Sequence, residues 1–208
     1  MSLKNGLFVV LMGPDGSGKS AIVDLLQEFS LQHYQNTHHF HWRPGLFKKP
    51  SASTASAEET VLPPAENDYK YGFFISLLRF FYYLMDFIVG YWLIIFPKRY
   101  KKYLIIGERW YFDTIIQPYR YGFNLPKWFL QSAGFFIPKP DLVILLSADP
   151  TVIYARKPEL SVDLIARQIN EMKVMLQSMP NHKVIDTGIN IDITKKNVLD
   201  VLADYKQG

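Results

Sequence analysis

The run Gly13-Pro14-Asp15-Gly16-Ser17-Gly18-Lys19-Ser20 fits G-x-x-x-x-G-K-[ST], a spacing whose chemistry is the grip on a polyphosphate. Gly13, Gly16 and Gly18 free the backbone to curl, so that its N–H groups, Ser17 included, turn inward on an anion. A helix that begins as the loop ends adds the partial positive charge of its N-terminus. Lys19 can then reach the outer phosphates, and the Ser20 hydroxyl is a hard oxygen ligand suited to Mg²⁺. The flanks supply the setting this motif requires. Leu7–Met12 is an apolar run of strand length, and Ala21, Ile22, Leu25, Leu26 and Phe29 recur at helical spacing. The loop points to a nucleoside triphosphate, ATP, arriving with Mg²⁺.

Three more groups of charged residues stand where they could converge on that loop. Glu108 and Arg109 follow the apolar strand Tyr103–Ile106. There Glu108 can hold the water shell of Mg²⁺, and Arg109 can bind the phosphoryl group in flight or the acceptor. Arg156 and Lys157 fall between two helices in Arg156–Ser161, a short lid that could close over the ATP phosphates. Arg43 ends the second strand in His41-Trp42-Arg43-Pro44-Gly45 and could take an acceptor phosphate bidentately. Each has a plain structural alternative: a solvated turn, ordinary charges at a helix C-terminus, or a surface arginine.

The elements that must position these residues alternate in type. The strands expected are Leu7–Met12, His38–Trp42, Tyr103–Ile106, Leu142–Leu146 and Val184-Ile185. Helices fall between and after them: one behind the P-loop, a long apolar one from Phe73, and one starting at Asp149-Pro150. Two more are a strongly periodic one over Ser161–Met179 and a closing one over Ile193–Tyr205. That order implies an α/β fold, a five-stranded parallel sheet with helices on both faces and a crevice at the strand C-termini. Residues 44–69, rich in Pro, Ala, Ser, Thr and Glu, read as a long mobile loop.

At 208 residues and 49% hydrophobic content the chain suits one domain, residues 1–208. Its net charge of +4 does not call for nucleic acid as a partner. With no cysteine, disulfides, thiolate metal sites and cysteine nucleophiles are excluded, and a cytoplasmic location is expected. The apolar stretch Phe73–Phe96 has the length of a membrane span, but Arg79 and Asp86 interrupt it at about 2.5–3.5 kcal/mol each on insertion scales. A single crossing there would also separate strands that belong to one sheet. It is therefore expected to be a long buried helix, or a pair broken at Gly90. The basic cluster Lys98-Arg99-Lys101-Lys102 behind it leaves contact with a membrane surface as an alternative. Phe73, Phe74, Phe80, Tyr82 and Tyr83 could stack on a base, but their helical spacing favours the core.

Taken together, Gly-Pro-Asp-Gly-Ser-Gly-Lys-Ser with its Asp15, Arg43-Pro44-Gly45, and Glu108-Arg109-Trp110 resemble the thymidylate kinase family. In that family Arg43-Pro44-Gly45 would correspond to an Arg-Glu-Pro-Gly-Gly element lacking its glutamate, and Glu108-Arg109-Trp110 to Asp-Arg-Tyr. Pro140-Asp141-Leu142 through Asp149-Pro150, followed by Arg156, resembles the family's penultimate strand and lid approach, and Val184-Ile185-Asp186 its approach to adenine. The resemblance spans nearly the whole chain and implies a P-loop NTPase three-layer fold. It further implies that Arg43 meets the acceptor phosphate, Arg109 the reacting phosphates and Asp15 the acceptor sugar. It also suggests a homodimer through the 73–96 helix.

The departures carry their own expectations. Glu108-Arg109 is also the pair of deoxyribonucleoside kinases. The segment with Asp113, Pro118, Arg120 and Tyr121, and the Arg156–Ser161 lid, resemble divergent thymidylate-kinase-like proteins of bacterial polysaccharide clusters. Asp113 beside the acceptor would repel a phosphate dianion yet serve an alcohol as base, unless Arg120 neutralises it and restores a phosphate site. The reading is thus an ATP- and Mg²⁺-dependent transfer to a nucleoside monophosphate. A kinase for a sugar or other small alcohol is its near alternative, and a nucleotide-gated, membrane-peripheral assembly factor the alternative from another class.

Overall fold

Five strands, each feeding a crossover to the next, form one wholly parallel sheet in the order β2-β3-β1-β4-β5. They are β1 (Leu7–Met12), β2 (Thr37–Phe40), β3 (Leu104–Gly107), β4 (Leu142–Ser147) and β5 (His182–Asp186). The computed structural model describes residues 6–47 and 71–207; of the loop expected at 44–69, residues 48–69 lie outside that range. β1 is central because it is apolar on both faces. Phe8, Val10 and Met12 enter one core layer, and Leu7, Val9 and Leu11 enter the other. Strand order reverses on either side of β1, between β3 and β4, so the crevice opens at the end of β1, where the P-loop begins.

Two helix layers cover the sheet. On one face α1 (Lys19–His33) and α8 (Ile191–Gln207) pack through Ile22, Val23, Leu26, Val198 and Leu202. The other face carries α2 (Phe73–Gly90), α4 (Tyr111–Ile116), α5 (Lys127–Ala133) and α7 (Val162–Leu176), packed through residues such as Phe80, Phe87, Tyr111, Leu130 and Met172. Between β4 and α7 runs α6 (Pro150–Arg156). Asp149 caps it by accepting from Thr151 N at 2.9 Å, and Ser161 caps α7 by accepting from Leu164 N at 3.3 Å.

The long apolar helix departs from expectation in two ways. It does not break at Gly90; it continues through a π-helical turn, Tyr91–Ile95, into α3 (Phe96–Tyr100). Gly90 is needed for a different reason, since a Cβ there would come within 2.8 Å of Pro44 Cβ. Nor is the helix buried all round. Phe80, Phe87 and Ile95 are in the core, while Phe74, Leu78, Phe81, Met85, Trp92 and Phe96 are exposed on the opposite side. By length and composition alone Phe73–Tyr100 could cross a membrane. Its inner face is instead joined to the sheet by rings such as Phe87 against Trp110, 4.9 Å apart and nearly perpendicular.

Candidate active site

The P-loop leaves β1 through three glycines with positive φ: Gly13 (149°), Gly16 (86°) and Gly18 (89°). A Cβ on Gly13 would stand 2.5 Å from both Leu146 O and Ser17 Oγ, so no side chain fits there. Gly18 ends the loop in the left-handed conformation and starts α1, with no side chain capping the helix N-terminus. Ser17 Oγ is buried without a hydrogen-bond partner, as befits a cradle whose partner is an anion. Lys19, 7% exposed, folds back to donate to Gly13 O and Pro14 O, each at 2.8 Å. Burial, aided by the Arg109 charge, pulls its ammonium down to about 8. Ser20 is exposed on the first turn of α1.

Asp15 gathers the cations. One carboxylate oxygen accepts from Arg109 Nη2, the other from Arg120 Nη1 at 2.7 Å, and Lys19 Nζ stands 3.8 Å away. Burial would raise the Asp15 carboxyl, but Arg109, Arg120 and Lys19 outweigh it and hold it well below the usual carboxylate range. Arg109 is 2% exposed and is anchored from behind by Asp113, its Nη1 lying 3.6 Å from Asp113 Oδ1. Burial opposes the Arg109 charge, yet Asp113, Tyr121 and Asp15 together raise its basicity further.

Asp113 itself is 1% exposed and its second oxygen accepts from Trp110 N at 3.3 Å, closing the first turn of α4. Burial pushes its carboxyl upward against the pull of Arg109 and Lys19. One oxygen is thus taken by Trp110 N and the other faces the Arg109 guanidinium, an ion-pairing arrangement within the scaffold that holds Arg109.

The remaining sequence-expected residues fall in three places. Glu108 follows β3 beside the P-loop; its N–H donates to Phe40 O at 3.0 Å and its carboxylate meets His39. Arg156 ends α6 and donates to Thr187 O at 2.8 Å, beside the end of β5. Lys157 pairs with Glu159 at 2.9 Å, and its Cβ lies 3.1 Å from where a Cβ on Gly16 would be, so the segment after α6 rests on the P-loop. Arg43 does not join the network. It is 8% exposed and bound to Asp86, which is fully buried in α2; it donates to Phe47 O at 2.7 Å and lies over the Tyr83 ring.

Two features of the crevice escaped the sequence reading. Trp42 stacks on Tyr121 with ring centroids 4.2 Å apart, and its Nε1 is buried without a hydrogen-bond partner. Arg79, half-buried on α2, lies over Tyr71 and donates to Tyr83 OH at 3.4 Å, leaving a buried Nε without one. An arginine inside an otherwise apolar helix was the available signal. Among the described residues, no three His, Cys, Asp or Glu side chains converge to cage a metal. The oxygen donors of Ser20 and Glu108 do fit a Mg²⁺ shared with ATP phosphates.

No protein-family model matches the chain. A protein of Staphylothermus marinus named probable thymidylate kinase is 29% identical over 161 residues, 77% of this chain and 73% of its own length. A protein of the same name from Pyrobaculum aerophilum is 28% identical over 151 residues, covering 72% and 68%. The crystal structure of thymidylate kinase from Ehrlichia chaffeensis shares the fold, with a TM-score of 0.59 over 95% of this chain and 98% of that one at 16% identity. With its P-loop and its Glu108-Arg109 pair, the chain is thus similar to proteins named thymidylate kinase in sequence over about three quarters of its length, and to a thymidylate kinase in fold over nearly all of it.

Proposed function

We propose that the chain transfers the γ-phosphoryl group of ATP, with Mg²⁺, to a nucleoside monophosphate of the thymidylate type, giving the diphosphate. One observation carries this reading: Lys19, Arg109 and Arg120 are held together on Asp15 at the mouth of the P-loop. Three cations around one carboxylate suit two phosphorylated substrates meeting end to end, and would be excessive for a neutral alcohol.

P-loop amides and Lys19 hold the ATP phosphates. Ser20 and Glu108 would hold Mg²⁺, which when bound would supply positive charge to offset that developing on the transferring phosphates. Arg109, kept rigid by Asp113, faces the reacting phosphates, while Arg120 and Asp15 orient the acceptor. Arg156 and Lys157 bring further positive charge over the loop as the lid closes. Catalysis on this account is mainly positioning and preorganised charge. With these substrates the site of action is the cytoplasm.

The partner for the exposed face of α2 is a second copy of the chain. Phe74, Leu78, Phe81 and Met85 recur at alternating steps of four and three residues, the seam of two packed helices.

The test is ADP release from ATP and Mg²⁺ with dTMP, thymidine, sugars and sugar phosphates. Strong stimulation by dTMP, abolished in Lys19→Ala, is expected. Stimulation by thymidine or a sugar but not by dTMP would overturn the reading.

A further inference from the structure

β2 and β3 are paired in parallel with His39 opposite Ile106 and Phe40 opposite Gly107. Side chains alternate along a strand, so the face that buries Ile106 against α1 also carries His39, His41 and Glu108. Phe40, between the two histidines, enters the opposite core layer. The consequence is visible in the contacts: His39 Nε2 lies 2.8 Å from Glu108 Oε1, and His41 Nδ1 lies 3.7 Å from Glu108 Oε2. An ionised carboxylate only accepts, so Nε2 of His39 is the donor. His41 is too far for a hydrogen bond and is 67% exposed, which leaves Oε2 open.

We infer that His39 is a positioning residue for the metal-shell carboxylate: it binds Oε1 of Glu108 and so fixes the carboxylate while leaving Oε2 free for the Mg²⁺ water shell. This rests on the phosphoryl-transfer reading only in placing Mg²⁺ between Ser20 and Glu108. The need for such a residue follows from side-chain length. Glutamate has one more torsion than aspartate, and at 13% exposure Glu108 keeps room to use it unless a neighbour fixes its end. A pair whose histidine is 30% exposed adds little to stability, so orientation is the effect to look for. Outer-sphere partners of metal-binding groups typically alter metal affinity by 10–100-fold.

The experiment uses the full chain with Mn²⁺ as probe and a non-hydrolysable ATP analogue, reading free Mn²⁺ by electron paramagnetic resonance. His39→Ala is expected to weaken Mn²⁺ in the ternary complex about tenfold. His39→Gln, which keeps a donor, should stay within about threefold, and thermal melting of the ligand-free variants should be unchanged. In turnover, the Mg²⁺ requirement of His39→Ala should rise more than kcat falls. Glu108→Gln should weaken Mn²⁺ similarly, with His39→Ala adding nothing on that background. Unchanged Mn²⁺ affinity in His39→Ala, a His39→Gln as weak as His39→Ala, or losses that simply add with Glu108→Gln would each overturn the inference. If no acceptor is phosphorylated yet Mn²⁺ still weakens in His39→Ala, the function reading fails and this one stands.

Discussion

Removing the Asp86 carboxylate should be strongly destabilising. Asp86 is fully buried in α2. Besides its ion pair with Arg43 it accepts from Phe47 N at 3.1 Å, so one side chain ties the segment after β2 to the helix. Asp86→Ala leaves a guanidinium 8% exposed and without a counter-ion, and breaking such a pair costs about 3–5 kcal/mol. Arg43 keeps Phe47 O at 2.7 Å and the Tyr83 ring at 5.1 Å, so the low end, about 3 kcal/mol, is expected. With a urea slope of about 3 kcal/mol/M, the unfolding midpoint should fall by about 1 M. The assay is equilibrium urea unfolding followed by the fluorescence of the four tryptophans. Replacing both partners with apolar residues, Arg43→Met with Asp86→Leu, should return stability to within about 1 kcal/mol of the parent. The same double variant tests the role that family resemblance assigns to Arg43. If Arg43 is a structural pin, the acceptor KM stays within about threefold, whereas loss of a charge-assisted phosphate contact would raise it at least tenfold. A midpoint shift below about 0.3 M in Asp86→Ala would refute the reasoning.

Other expectations follow from the same geometry. Lys19 is held down to about 8 in the free enzyme and must be charged to meet a phosphate. ATP binding should therefore take up a proton at pH 8.5 but not at pH 6.5, read by calorimetry in buffers of differing ionisation enthalpy. Affinity should fall about tenfold between pH 7 and pH 9. Asp113→Asn keeps an acceptor for Trp110 N but removes the charge behind Arg109; kcat with dTMP should fall no more than about tenfold, whereas loss of an obligatory base would cost 10²–10⁴. Changing Phe74 and Leu78 to glutamate should convert a dimer to a monomer in light scattering without lowering the melting temperature of the monomer. A parent that is already monomeric and binds vesicles would instead favour a lipid surface.

Where local pattern decides structure, the sequence was sufficient. β1, β3 and β4 are uninterrupted apolar runs because both faces are covered, and the P-loop glycines stand where positive φ is required. The caps of α6 and α7 were equally plain, since Asp149 and Ser161 act within their own turn. What escaped was the pairing of distant charges. Arg43 follows β2 by three residues, and nothing near it in sequence announces a partner 43 positions away in a helix. The face of α2 was also illegible, because a helix apolar on almost every side gives periodicity nothing to contrast. β2 ends at Phe40, two residues before the Trp42 expected, and the contact of His39 with Glu108 depends on the pairing of β2 with β3, which no local pattern states.

The π-helical turn at Tyr91–Ile95 acts as a phase adjuster. An ordinary α-helix advances about 100° per residue, so one residue more or less before α3 would swing everything beyond it by that angle. In its present phase Arg99 donates to Tyr91 OH at 2.8 Å and to Asp141 Oδ1 at 2.5 Å, while Asp141 Oδ2 accepts from Phe8 N at 2.8 Å. The wide turn thus locks the end of the long helix to the start of the central strand. Deleting one residue within it would give a more regular helix and a less well anchored sheet. Across relatives, the length of this segment should accordingly be harder to change than its composition.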